Sequence, residues 1–292
     1  SAAYGAIVLV GLILVFLLMR SVPTFAQQGI SFVTGGVWNG SVNPPILQIG
    51  PMLWGSILLS ILGVFLAVSM AISIAYFIVF MANKKFASGV TILVDLLAAL
   101  PSVVLGLWGL LVFSPVAAGW AKLLHDTLGF LPFFANEDGN FLRSPFIAGW
   151  VVAVMIVPII ASVTREIFSQ LDRDVLNAAT ALGASRSSSF FRVILPTSSG
   201  GIVGGVLLGL GRALGETVAI FFVLNLSFEI NWVEVIESRG GSIASMIVAY
   251  FGAASPVEVK ALMAAGLVLF VITLLINWLA AVIVAKAQPW RK

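Results

Sequence analysis

Six long apolar runs constrain this chain more than any other feature of it, at about residues 2–19, 52–81, 88–113, 145–163, 197–226 and 260–285. A helix needs about 20 predominantly apolar residues to cross a hydrocarbon core of roughly 30 Å, so each run has the length of a span. Water is absent from that core, and every backbone N–H and C=O must find its partner inside the segment, which makes such runs helical. Charged residues make up 9% of the sequence and hydrophobic ones 60%, against about 25% charged in soluble domains. So few charges cannot coat a water-soluble surface. The expected fold class is an all-α integral membrane protein, one transmembrane domain over residues 1–292 with six transmembrane helices and no soluble domain. The first run has no basic segment before it, and Arg20, Pro23 and Gln27 do not form a small-residue cleavage site. It is therefore expected to be a span rather than a signal peptide, with a cytosolic stretch preceding it.

Basic residues orient the spans. Lys84 and Lys85 lie between runs two and three; Arg165, Arg173, Arg186 and Arg192 lie between runs four and five; Lys286, Arg291 and Lys292 lie in the tail. Six crossings put these segments on one side, which the positive-inside rule makes cytoplasmic together with both termini. The opposite loops hold Lys122, Arg143 and Arg239 among the acids Glu137, Asp138, Glu229, Glu234 and Glu237. Cysteine is absent and His125 is the single histidine, which argues against disulfides, thiolate chemistry and a transition-metal centre. His125 falls in residues 117–130, expected to form an interfacial amphipathic helix with the imidazole as its polar tip. Residues 241–254 are apolar but too short to span, and are expected to lie along the outer interface or dip back into it.

The polar stretch 165–196 is too long for a structureless loop. Val175, Leu176, Ala179 and Leu182 recur at helical spacing and Gly183 supplies a stop. This predicts a short helix, a turn at Gly183-Ala184-Ser185, and a second short helix ending at Pro196, a pair suited to docking another protein. In run five Gly201, Gly205 and Gly209 recur every four residues and form a stripe for close helix approach. Measured from Gly201 at about 100° per residue, Arg212 falls near roughly 20° and Glu216 near roughly 60°. The pair is expected to project from the stripe into the bundle or pore, since a charge facing lipid costs at least about 2.5 kcal/mol. A neutralised i,i+4 pair that locks span five to its neighbours is the plainer reading. Asp95 is expected to sit early in span three and pair with Lys84 or Lys85, and Ser102 to satisfy a carbonyl freed by a kink at Pro101. Asn225 and Thr217 are candidates for bonds across helices, and Ala67, Ala71 and Ala75 form a packing stripe.

Asn177-Ala178-Ala179, then Gly183, then Val193-Ile194-Leu195-Pro196 resembles the cytoplasmic EAA…G…I-LP loop of ABC importer permeases. Asn177 stands where that pattern has glutamate, and Val193 where isoleucine is usual. Leu97-Ala98-Ala99-Leu100-Pro101-Ser102-Val103-Val104 with Gly106-Leu107-Trp108-Gly109-Leu110, Gly211-Arg212-Ala213-Leu214-Gly215-Glu216-Thr217 and Ser242-Ile243-Ala244-Ser245 are similar to PstC-type permeases of phosphate-specific transport systems. The similarity runs from about Trp54 to the C-terminus. It implies a type I importer permease fold in the bacterial plasma membrane, forming half of a phosphate pore. The implied partners are a second homologous permease in a heterodimer, an ATPase dimer, an extracytoplasmic phosphate-binding protein and the lipid membrane, but no nucleic acid. Coupling to the ATPase is then expected at Asn177, Ala178, Ala179, Gly183, Ser185, Leu195 and Pro196. Substrate passage is expected along Arg212, Glu216, Ser102 and Thr217, with Arg212 meeting the oxyanion through its planar fork and Glu216 as its resting partner. No cofactor is expected on this chain; ATP and magnesium belong to the partner, since the sequence holds no GxxxxGK[ST] loop. An arginine would serve molybdate or sulfate equally, and a secondary transporter driven by an ion gradient is the more distant alternative.

Overall fold

The structure, a computed structural model, describes residues 2–287. The chain runs α1 (Ala2–Gln28), a single-turn α2 (Ser31–Thr34), a hairpin of β1 (Trp38–Asn39) and β2 (Ile46–Leu47), and α3 (Gly50–Tyr76). It continues with α4 (Lys84–Ala99), α5 (Ser102–Trp108), α6 (Ser114–Leu128), α7 (Pro145–Ser169), α8 (Arg173–Ala181) and α9 (Arg186–Ser189). It ends with α10 (Leu195–Gly215), α11 (Val218–Val223), α12 (Ile243–Phe251) and α13 (Pro256–Ala287). Among the described residues six helical runs are long and apolar enough to cross a membrane: Val8–Gln28, Gly50–Met81, Ser102–Leu128, Pro145–Ser169, Arg186–Gly215 and Pro256–Leu279.

The third span begins later than the hydropathy of residues 88–113 predicts. Leu100 is extended (φ −67°, ψ 132°) and closes α4, because a residue before proline is pushed out of the α region and proline cannot donate to a helical ladder. Pro101 therefore breaks the helix instead of kinking it. Helix α4 stands alone, capped by Asn83, whose side chain accepts the Phe86 N–H at 2.9 Å. Asp95 is exposed and lies about three turns beyond Lys84 on α4, out of reach of the lysine pairing expected for it. The displaced span takes in α6, so the segment predicted to lie on the interface is the second half of a crossing helix. His125 ends that helix with Nδ1 3.0 Å from the Phe134 carbonyl oxygen and its ring against Phe141.

Two spans carry a π-helical turn immediately before a proline. Gly109–Phe113 precedes Pro115, with the Ser114 N–H bonded to the Gly109 carbonyl. Phe190–Ile194 precedes Pro196, with the Leu195 N–H bonded to the Phe190 carbonyl. Proline offers no N–H, and the ladder shifts to i→i−5 just before it rather than ending there. This corrects the reading of Pro196 as the end of a separate short helix: α9, the π turn and α10 form one continuous run, Arg186–Gly215.

Counting described residues alone, the chain divides into two compact units. Of the described residues the first draws on 2–60, 102–149 and 214–275, the second on 61–101, 150–213 and 276–287. In the first unit Phe32, Leu47, Ile49 and Met52 pack with Ile243, Met246, Leu262 and Ala265. Helix α12 buries its first turn, Ile243 to Met246, in that core. In the second unit Ala75, Phe168, Ile194 and Ile202 form the centre, with Tyr76 edge-on to Phe190 and Phe80 tilted against Phe168. Ala67, Ala71 and Ala75 are all fully buried, as a packing stripe should be. Helix α7 is 67% buried over its most apolar window, against 11% for α1, and so is the span most enclosed by protein. A helix apolar all round belongs in such a place.

Candidate translocation and coupling sites

The glycine stripe of α10 lies on α7. A Cβ at Gly201 would meet Ile167, one at Gly205 would come within 3.1 Å of Val163, and one at Gly209 within 2.9 Å of Ile160. Without side chains at these positions the two backbones approach closely. The seam continues in four-residue steps to Ala213, which is buried. Because each step drifts by about 40°, the seam has turned away from Arg212 by the time it reaches that height. Arg212, in the last turn of α10, is exposed, whereas an azimuth taken from Gly201 places it on the packed face.

Glu216 does not continue that helix. Helix α10 ends at Gly215, and Thr217 (φ −116°, ψ −60°) starts α11. The i,i+4 geometry that would pair Glu216 with Arg212 is therefore lost, and among the described residues no ion pair involves either. Instead Glu216 is buried, and its Oε1 accepts the Ala219 N–H at 3.3 Å. A carboxylate there satisfies an orphan donor of the first turn. Thr217 Oγ1 donates to the Gly215 carbonyl at 3.0 Å, bonding locally and not across helices. Ser102 opens α5 directly after Pro101, half-buried. Helix α5 packs on α11 at a glycine, since a Cβ at Gly106 would come within 2.8 Å of the Ala219 backbone.

The predicted coupling segment forms α8 and α9 with the expected turn between them. Gly183 has φ +81°, its N–H bonds the Thr180 carbonyl at 2.9 Å, and the Ala184 N–H bonds the Ala179 carbonyl at 3.0 Å. This pair of bonds is a Schellman termination, which needs a left-handed residue and so favours glycine. Ser185 starts α9, its Oγ accepting the Ser188 N–H at 3.2 Å. Asn177 and Leu182 are exposed, Ala179 and Leu195 half-buried, and Pro196 exposed in the first turn of α10. The side chains of Val175, Leu176, Ala178 and Lys286 and the residues Arg291 and Lys292 lie outside the described set.

The loop before α12 carries a charged network that residue spacing does not reveal. Arg239 Nη2 lies 2.9 Å from Glu237 Oε1, and Arg239 Nε lies 3.3 Å from Glu229 Oε2. Asn231 Nδ2 donates to the carbonyls of Glu234 (2.7 Å) and Arg239 (3.0 Å), holding the turn. Asn225, a candidate for bonding across helices, donates to the Ser238 carbonyl at 2.9 Å in this loop. Burial pushes the Glu237 carboxyl above its ordinary value; Arg239 opposes the rise, and Asp138, Glu234 and Glu137 add to it. A carboxyl whose folded value is raised contributes stability at low pH and loses it as pH climbs through that value. Detergent melts across this range should show the wild type losing more stability with rising pH than Glu237→Gln does. An equal slope in the two proteins would mean that Arg239 compensates the burial fully.

Residues 63–288 match the family model described as binding-protein-dependent transport system inner membrane component. The phosphate transport system permease protein PstC of Haemophilus influenzae is 37% identical over 286 residues, 96% of this chain and 89% of that protein. The phosphate transport system permease protein PstC 2 of Mycobacterium tuberculosis is 36% identical over 284 residues, 95% of this chain and 87% of that protein. Among solved structures, the inward-facing MetNI methionine ABC transporter superposes with a TM-score of 0.58 at 14% identity, over 81% of this chain and 94% of that one. At that identity the likeness is one of fold alone.

Proposed function

The chain belongs to the family of binding-protein-dependent transport system inner membrane components, and from this we propose that it is the permease subunit of an ATP-driven importer of inorganic phosphate. The observation that carries the reading is the 37% identity to a phosphate transport permease along 96% of the chain. The six-span, all-α architecture is that of type I ABC importer permeases. The transport chemistry needs a cation that stays charged at any working pH and binds tetrahedral oxyanions by two parallel bonds, and arginine meets both needs. What supports Arg212 in this role is that it ends α10 exposed, with no carboxylate within ion-pair range among the described residues.

In this reading the chain supplies half of a pore completed by a second, homologous permease, above an ATPase dimer that holds ATP and magnesium. A phosphate-binding protein docks on the opposite face. Both termini and the segment 165–196 face the cytoplasm of a bacterium, by the distribution of lysine and arginine. Closure of the ATPases on ATP presses on α8. The Schellman turn at Gly183 fixes α8 against α9, and α9 runs unbroken through the π turn into α10. Motion at Asn177, Ala178 and Ala179 therefore travels along one helical lever to Arg212. Ser102 and Thr217, at the starts of α5 and α11, supply hydroxyls to the path, that of Thr217 donating only on releasing the Gly215 carbonyl, and Glu216 fixes the break at which α10 ends.

The test is labelled phosphate uptake into proteoliposomes that hold this chain with its partner subunits, with and without ATP and the binding protein. Uptake should require both and resist excess molybdate or sulfate. Uptake that ignores ATP and follows an ion gradient would overturn the importer reading, and suppression by molybdate or sulfate would overturn phosphate as the substrate.

A further inference from the structure

A cavity of about 270 Å³ opens in the first unit, lined by Arg143, Asn225, Ser245 and Gly241 with the apolar side chains of Phe221 and Leu224. That is just below the roughly 300–1,000 Å³ of pockets for drug-sized molecules, and suits a small hydrated ion. No acidic residue lines it. The acids of the neighbouring loop are engaged elsewhere, Glu229 and Glu237 both with Arg239. Arg143, itself exposed to solvent, is thus the charge of the cavity.

Arg143 also holds an unusual backbone. Among the described residues it is the one non-glycine with a left-handed φ, +53°. Its carbonyl accepts the Asn225 N–H at 3.0 Å, which pins that turn to the cavity rim. Glycine would make the same turn without strain, so the turn alone gives no reason for an arginine. The guanidinium is barely used by the protein: Nη2 reaches the Phe222 carbonyl at 3.5 Å, the outer limit of a hydrogen bond, and among the described residues it forms no ion pair. Its remaining N–H groups are free for a ligand, and Asn225 Nδ2, bonded once to Ser238, keeps a second proton to donate.

We infer that this cavity is a second anion subsite, separate from Arg212, that takes a phosphate group through Arg143 and Asn225 on the side of the membrane opposite the termini. The inference rests on the phosphate-importer reading for the free ion as ligand. The headgroup of an anionic phospholipid offers the same chemistry. In transport, such a subsite receives phosphate on entry from that side, and the single weak tether on Arg143 lets the ion leave again.

The test measures equilibrium binding of labelled inorganic phosphate to the assembled transporter in nanodiscs, without the binding protein. An Arg212→Gln background ensures that the bound ion reports this cavity. Arg143→Gln should weaken binding about tenfold or more, and Arg143→Lys, which keeps the charge, clearly less. Melting temperature should be unchanged by either. Nanodiscs of phosphatidylcholine alone and nanodiscs containing phosphatidylglycerol separate the sources: equal binding in both assigns free phosphate, and loss of label in the second assigns the headgroup. No binding before the Arg143 substitution, or equal binding after Arg143→Gln, overturns the subsite. If proteoliposomes show no ATP-driven phosphate uptake while Arg143-dependent binding persists, the importer reading fails and the cavity stands.

Discussion

Arg212→Gln should abolish ATP-driven phosphate uptake while the protein remains folded and assembled. Glutamine keeps length and some hydrogen bonding but loses the charge and the two-pronged geometry. A hydrogen bond to a charged group contributes about 1.5–3 kcal/mol, so losing two from a passing oxyanion slows the step about 100-fold or more. The exposure of Arg212 makes the experiment clean. Among the described residues it braces nothing by an ion pair, and its removal orphans no buried carboxylate; Glu216 keeps its own bond to the Ala219 N–H. Melting temperature and subunit assembly should therefore match wild type, and Arg212→Lys should retain part of the uptake. Uptake at the wild-type rate in a well-assembled glutamine variant would remove Arg212 from the path. Lost uptake accompanied by a lowered melting temperature would mean that the arginine is a structural brace.

What could be read from residues alone follows the range of the interactions. Six spans were legible because the bilayer imposes a length and a composition on each segment separately. The Schellman turn was legible at Gly183 because a left-handed helix end is a local demand on one residue. The glycine face of α10 was legible because small residues at four-residue spacing state a close approach, even though the partner, Ile160 to Ile167 of α7, was not visible. Local breaks were harder to read. A proline in an apolar run is compatible with a kink, a π turn or a stop, and the chain uses the π turn before Pro115 and Pro196 and the stop at Pro101. Choosing among them depends on which neighbours satisfy the freed carbonyls. The same limit hid the role of Glu216, since the apolar run resumes directly after 215–217, where the helix has already ended. Arg143 was visible only as a basic loop residue, because its cavity is walled by residues some eighty to a hundred positions further along the chain.

Gly55→Ala should be among the most damaging single substitutions in the first unit. A Cβ on Gly55, in α3, would overlap the backbone carbonyl oxygen of Gly241, the residue just before the α12 cap; one on Gly241 would in turn strike the Met52 sulfur. The contact is backbone against backbone, so no rotamer change relieves it and the segment entering α12 must move. That segment is bonded at the same place: the Ile243 N–H donates to Ser56 Oγ at 2.9 Å, and Ser56 Oγ itself donates to the Met52 carbonyl at 2.8 Å. Overpacking costs about 1–3 kcal/mol and an orphaned buried N–H about 1–3 more. Together, about 2–6 kcal/mol is a large share of the roughly 5–15 kcal/mol that holds a typical domain folded. The expected result is a steep fall in monodisperse protein on size exclusion in detergent, with a lowered melting temperature for what survives. Gly204→Ala is the matched control. A Cβ at Gly204 meets nothing within 4 Å, and alanine favours the helix. If Gly55→Ala behaves like that control, α3 and the approach to α12 are not locked together as the Ser56 bond and the Gly55–Gly241 contact imply. If it fails while Gly204→Ala is unaffected, that seam between residues far apart in sequence holds the first unit together.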